Sequence, residues 1–239
     1  MKKKKLGVLG GMGPAASARF LTLVTEFTQA EHDQEHIEIL LHSITSIPDR
    51  TDFILGKSRI SPLPQMKAEI CSLISAGAEI IAVPCNTAEY FHKEMQEICP
   101  IPILRTAYES AKFAAVRGIK KLGIMATEGA VRAEIYQDHL TSLGVDFFIP
   151  EKRIQEKINE LIYFNIKKSV FPKTDFLKDA KTYFTKNGCD AAVFGCTEIS
   201  LLPNSREDTF FIDSLSVLAA ASVQKCGYIL SDKAKQFHT

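Results

Sequence analysis

Two segments of this chain, a little over a hundred residues apart, read as copies of one another: Gly77-Ala-Glu-Ile-Ile-Ala-Val-Pro-Cys85-Asn-Thr and Gly188-Cys-Asp-Ala-Ala-Val-Phe-Gly-Cys196-Thr-Glu. In each, an acid follows the glycine by two positions, an apolar run comes next, and a cysteine closes the run eight positions after the glycine. Two further echoes keep the same order. Lys120-Lys-Leu-Gly-Ile-Met-Ala-Thr-Glu-Gly129 answers Lys4-Lys-Leu-Gly-Val-Leu-Gly-Gly-Met-Gly13 at a spacing of 116, and the cysteine segments repeat at 111. The segment from Phe211-Ile-Asp-Ser214 to Gly227 answers that from Ile103-Leu-Arg-Thr106 to Gly118 at about 109. A repeated pattern of apolar runs and breakers specifies the same local structure each time, so three echoes in one order predict two similar units.

Within each unit short apolar runs alternate with longer amphipathic stretches. Residues 5–10 read as a buried strand, followed by a Gly-Gly-Met-Gly-Pro turn and a helix over 15–30 with Pro14 in its first turn. Strands are expected at 37–43, 78–83 and 101–104, and helices after Ser61-Pro-Leu-Pro64, from Cys85-Asn-Thr87 to about 98, and over 106–118. Strand and helix in alternation imply right-handed βαβ units and parallel sheets, hence an α/β fold. The division we expect is a first half of 1–103, joined by 211–239 whose helix packs back on it, and a second half of 104–210. Ligands of such sheets bind beyond the carboxyl ends of the strands, where both cysteines fall, so the site is expected in the cleft between the halves.

Bulk properties exclude several classes. With 29 Lys and Arg against 28 Asp and Glu over 239 residues, the formal net charge of +1 gives no field for nucleic acid or an anionic membrane. The lysines at the start give way to glycines before a secretion signal's apolar region could form, and no apolar run reaches the length of a membrane span. A cytoplasmic protein is therefore expected, its six cysteines (71, 85, 99, 189, 196 and 226) being free thiols in a reducing compartment. No C-x-x-C pair is present, and His32 and His36, one helical turn apart, lack the glutamate of a hydrolytic zinc helix, so no metal is expected.

A single strand-end cysteine is ordinarily a small buried hydrophobe. Duplication sets Cys85 and Cys196 apart from the other four. Each is expected to precede a helix capped by Asn86 or Thr87 in one copy and by Thr197 in the other, where backbone N–H groups and the helix dipole favour a thiolate. Gly11-Met-Gly13-Pro-Ala-Ala16 fits a dinucleotide turn, but the second strand ends Leu41-His-Ser43 with no acid to hold a ribose. A substrate carboxylate suits that turn as well as a phosphate would. Arg50, in a loop on the cysteine face, and Lys167, in a helical insertion of the second half, are cations available to a distal carboxylate.

Gly10-Gly-Met-Gly-Pro14, Ile47-Pro-Asp-Arg-Thr51, Pro84-Cys-Asn-Thr-Ala88, Ala126-Thr-Glu-Gly129 and Gly195-Cys-Thr-Glu198 together resemble the aspartate/glutamate racemase family, most closely its aspartate racemase branch. The resemblance implies two flavodoxin-like halves with the site between them, no cofactor, a small acidic amino acid as substrate and a homodimer. It makes Cys85 and Cys196 the acid/base pair and gives Asn86, Thr87 and Thr197 to the substrate's α-carboxylate and amine. Thr127 matches another substrate-contacting position, Arg50 and Lys167 match the cations for the side-chain carboxylate, and Met12 and Glu198 complete the expected binding set. Two departures stand out. Glu89 replaces the family's histidine after Cys-Asn-Thr-Ala, where a carboxylate beside Cys85 would raise its pKa, and Ala130 replaces a hydroxyl residue. The rival readings are a related dicarboxylate isomerase or decarboxylase, a non-catalytic amino-acid-binding protein and, more distantly, a dinucleotide oxidoreductase.

Overall fold

In the computed structural model, which describes residues 2–171, 176–203 and 205–237, the repeat takes the form of two four-stranded parallel sheets. The first holds β1 (Leu6–Gly10), β2 (Ile39–Ser43), β3 (Ile80–Ala82) and β4 (Ile103–Leu104) in the order β2-β1-β3-β4. The second holds β5 (Lys121–Ala126), β6 (Asp146–Phe148), β7 (Ala191–Gly195) and β8 (Phe211–Asp213) in the same order, β6-β5-β7-β8. Every residue of β1, β3 and β7 is buried, as the near-continuous apolar runs of strands covered on both faces require.

The first half's helices are α1 (Pro14–Phe27), α2 (Arg50–Ile54), α3 (Leu63–Ser75) and α4 (His92–Ile98). Then α5 (Thr106–Val116) leads into the second half, whose helices are α6 (Glu128–Arg132), α7 (Gln137–Ser142), α8 (Lys152–Glu160) and α9 (Phe176–Lys186), with α10 (Ser214–Lys225) the last α-helix before a short 3-10 helix, Asp232–Phe237. Arg50, expected in a loop, opens α2, because Asp49 caps that helix by accepting from the N–H of Asp52 at 3.0 Å. The fourth strand is shorter than expected, since Pro100 and Pro102 carry no N–H to donate to the ladder.

The twice-written segment now has a physical account. Gly77 and Gly188 end α3 and α9 with φ of +99° and +75°, a left-handed stop that costs glycine nothing. The acid two residues later clips the first strand of its own half: Glu79 Oε2 accepts from the Lys5 N–H at 3.1 Å, and Asp190 Oδ2 accepts from the N–H groups of Lys120 and Lys121 at 2.8 and 2.9 Å. The apolar run is the central strand, β3 or β7, and the cysteine follows it. Three of the four repeated features therefore build the fold and leave the thiol as the one they position.

Segment 211–239, expected with the first half, divides between the two. Its strand β8 completes the second sheet by pairing with β7, and Phe211 stacks on Phe194 with ring centroids 5.0 Å apart. Its helix α10, buried from Ser214 to Val223, puts Leu215, Leu218 and Val223 into a cluster with Phe20, Leu23 and Val24 of α1, while Val217 joins Ala107, Ala111 and Ile124 of the second core. Each such large side chain contributes roughly 1.5–3 kcal/mol on burial, so α10 holds the halves together along its length. Among the described residues no helix is long and apolar enough to cross a membrane.

Candidate active site

Cys85 and Cys196 leave the carboxyl ends of β3 and β7 and face one cavity, at 8% and 6% exposure. Met12, Arg50, Asn86, Thr87, Thr127, Lys167, Thr197 and Glu198 line the same cavity, so the folding brings every residue singled out for the site to one place. The expected caps differ from those observed. Cys85 is itself the cap of a 3-10 helix, Asn86–Phe91, that precedes α4, and Cys196 is followed by a turn before a short 3-10 helix, Ile199–Leu201, capped by Glu198.

Side chains from both halves close the cavity around each other. Thr127, capping α6 by accepting from the Ala130 N–H at 3.2 Å, lies 3.0 Å from the Thr87 hydroxyl and 3.3 Å from the Thr51 hydroxyl. Asn86 donates to Ser214 Oγ at 3.0 Å and accepts from the Tyr136 hydroxyl at 2.6 Å, so its amide ties the first half to two elements of the second. Thr197 donates to the Pro84 carbonyl at 3.2 Å, next to the opposite thiol. Ala130 lacks the expected hydroxyl, yet its backbone serves the Thr127 cap.

Two cations line the cavity. Arg50, 7% exposed, donates through Nη1 to the carbonyls of Ile47 and Pro48 (3.3 and 3.1 Å) and through Nη2 to that of Met12 (3.2 Å), while its buried Nε has no hydrogen-bond partner. Burial opposes its charge, but Cys85, Asp49 and Glu198 around it more than offset that and hold its pKa above the ordinary value. Lys167 lies 4.9 Å from the centre of the Tyr163 ring and 3.6 Å from Glu198 Oε1. Burial again opposes the charge, and Glu198 followed by Cys196 restores it, with the net shift upward.

The acid that bears on a thiol is Glu198, and the thiol is Cys196. Cys196 Sγ donates to Glu198 Oε2 at 2.9 Å, and burial first, then the Glu198 charge, push that thiol well above its usual range. The dipole-favoured thiolate expected at Cys196 is thus overridden by desolvation. Glu89, expected to disturb Cys85, lies outside the cavity. Its carboxylate is held by the Arg105 Nε–H at 3.2 Å, His139 Nε2 at 2.8 Å and the Ala107 N–H at 2.7 Å, under a second cleft formed by both halves.

Asp49, Thr51 and Tyr163 also line the cavity and were not singled out from the sequence. The signal was present for each: Asp49 and Thr51 flank Arg50, and Tyr163 precedes Lys167 by four residues, one helical turn. At the Gly11-Met-Gly13 turn the Glu198 carboxylate lies close by, a Cβ on Gly13 standing 3.0 Å from its Oε1. Among the described residues no group of three or more His, Cys, Asp or Glu is placed to hold a metal ion.

Comparison with known proteins bears on the family and the fold. The family model for Asp/Glu/hydantoin racemases matches residues 9–222. The broad specificity amino-acid racemase RacX of Bacillus subtilis is 26% identical over 227 residues, covering 91% of this chain and 96% of its own. Among solved structures, the aspartate racemase of Picrophilus torridus superposes with a TM-score of 0.82 at 27% identity over 98% of this chain and 99% of its own. A glutamate racemase from Francisella tularensis in complex with D-glutamate shares the fold at a TM-score of 0.61 and 17% identity, over 94% of this chain and 81% of its own.

Proposed function

The chain belongs to the Asp/Glu/hydantoin racemase family, a family of isomerases, and on that premise we propose that it racemises an acidic amino acid, aspartate or glutamate, without a cofactor, using Cys85 and Cys196 on opposite faces of Cα. The observation that carries this reading is the pair of thiols, delivered by duplicated strand ends into one buried cavity walled by Arg50 and Lys167. One sulfur, as thiolate, takes the Cα proton while the other, as thiol, delivers its proton to the far face, and the reverse reaction exchanges the roles. The carbanion formed between them needs donors aimed at the substrate's α-carboxylate. Thr87, Thr127 and Thr197 supply hydroxyls, and the N–H groups at the start of the 3-10 helix after Cys85 add to them. Preorganised donors of this kind contribute roughly 3 kcal/mol each to a transition state.

In this scheme Arg50 and Lys167 attract the distal carboxylate, Met12 and Asn86 shape the wall, and Glu198 Oε1, which has no hydrogen-bond partner, is the acceptor available to the substrate's ammonium. On the family resemblance the enzyme works as a homodimer, which sedimentation tests. A second reading, turnover of neutral amino acids as well, is favoured by one contact: Glu198 lies 3.6 Å from Lys167 and offsets one of the two cations.

The test is incubation of each enantiomer of aspartate, glutamate and a panel of neutral amino acids in D2O, followed by chiral chromatography and mass spectrometry. Deuterium at Cα together with loss of chirality is expected, and the substrates that lose it separate the acidic from the broader reading. Unlabelled substrate would identify a binding protein instead. Cys85→Ala and Cys196→Ala should each reduce racemisation to background, and retention of it in either variant excludes the two-thiol scheme.

A further inference from the structure

The two thiols occupy unlike surroundings although the strands that carry them are copies. Cys85 faces a cation, standing within reach of the Arg50 guanidinium, whose buried Nε has no hydrogen-bond partner. Cys196 faces an anion. Its Sγ lies 2.9 Å from Glu198 Oε2, and since a carboxylate has no proton to give, the hydrogen of that bond belongs to the thiol. Glu198 is fixed in place: it is 4% exposed, Oε2 also lies 3.4 Å from the Thr197 hydroxyl, and Lys167 Nζ stands 3.6 Å from Oε1.

We propose that Glu198 pins the resting proton on Cys196, so that the enzyme meets its substrate with Cys85 as the base and Cys196 as the acid. Glu198 is then a positioning residue for a proton, and the duplicated site is functionally handed. This inference rests on the two-thiol reading above. In the favoured direction the Cα–H bond breaks as an S–H bond forms on Cys85, leaving the electron pair on Cα. The Cys196 S–H bond breaks as its proton reaches the opposite face, leaving the electron pair on sulfur. Turnover ends with the proton on Cys85 and none on Cys196, and water takes the first proton and returns one to Cys196. Burial and Glu198 together drive that return.

The enantiomer that presents its Cα–H to Cys85 finds the enzyme ready, whereas its mirror image uses the minor form. Enantiomers have equal free energy, so kcat/KM is the same in both directions. The handedness therefore appears as a kcat and a KM that both differ, by one common factor, between the two enantiomers.

The experiment is alkylation of the whole protein with iodoacetamide from pH 6 to 11, read at each cysteine by peptide mass spectrometry, alongside kcat and KM for both enantiomers. The pH midpoint is read rather than the rate, because accessibility alters the rate alone. In Glu198→Gln the Cys196 midpoint should fall by about one pH unit or more, the Cys85 midpoint should stay, and the two kcat values should converge. Glu198→Asp should restore a high Cys196 midpoint, which a merely structural role would not predict. A Cys196 midpoint unmoved in Glu198→Gln, or one already in the ordinary thiol range in the parent, overturns the inference. A parent that racemises nothing defeats the proposed function instead, and the alkylation profile still reports where the proton rests.

Discussion

At the scale of single residues, Glu89 shows how a carboxylate can be moved out of a site without leaving its neighbourhood in sequence. Its three donors, Arg105, His139 and the Ala107 N–H, come from the segment that joins the halves and from α7 of the second half, and its side chain is 4% exposed. Removing one charge from such a pair is costly, but Arg105 is 40% exposed and solvent screens part of the loss. Glu89→Gln should therefore lose about 1–3 kcal/mol in urea unfolding while its racemisation rate stays within about twofold of the parent's. A collapse of activity with stability intact would return Glu89 to the neighbourhood of Cys85. The motifs made most of the site legible, since hydroxyl and amide side chains directly beside a thiol stay beside it in any regular structure. The direction of Glu89 was not legible because it depends on helix type. Four residues along, a helix of three residues per turn rotates a side chain roughly 120° from the start, whereas one of 3.6 rotates it about 40°. Glu198 was legible as a member of the site but not as the partner of Cys196, because that contact depends on the turn after β7.

Elements obey the duplication more closely than residues do. The hydroxyl that opens the last helix of each half is a latch: Thr106 donates to the Val83 carbonyl at 3.1 Å, and Ser214 donates to that of Phe194 at 2.6 Å. Both carbonyls lie two residues before the thiol, so each closing helix is tied to the strand end that presents a cysteine. The stops before those strands can be tested directly. Nothing lies within 4 Å of a Cβ built on Gly77, so Gly77→Ala reports the backbone conformation alone and should cost about 1–2 kcal/mol in thermal unfolding. Gly188→Ala should cost about the same, its nearest neighbour being the Lys121 ammonium at 4.0 Å. Costs near zero at both positions would mean that the helices can end elsewhere. Element order and sheet type were legible because apolar runs and breakers carry them. Strand lengths were not, since the ladder ends where its partners do: β3 pairs with β4 only at Ile81 and Ala82.

For the molecule as a whole, buried thiols set a limit on alkaline stability. Burial pushes Cys226 from 9.0 up to about 12, and Cys196 is shifted in the same direction. The folded chain keeps those protons over a range in which the unfolded chain has released them. Their contribution to stability is complete below about pH 9 and is lost as pH rises from there through the folded value. Unfolding free energy measured in urea at pH 8, 9, 10 and 10.5 should fall above pH 9, each such thiol adding at most about 1.4 kcal/mol per pH unit. Cys226→Ala should flatten that slope by one thiol's share, and parallel slopes in variant and parent would refute the assignment. The cavity itself depends on the joining of the halves, because each supplies one sulfur and part of the hydroxyl lining. A chain of half this length could assemble such a cavity only by meeting a second copy, with an occupancy that falls on dilution. The passage from β4 into α5, reinforced by α10, replaces that encounter with a local concentration on the order of millimolar, and the site becomes independent of how much protein is present.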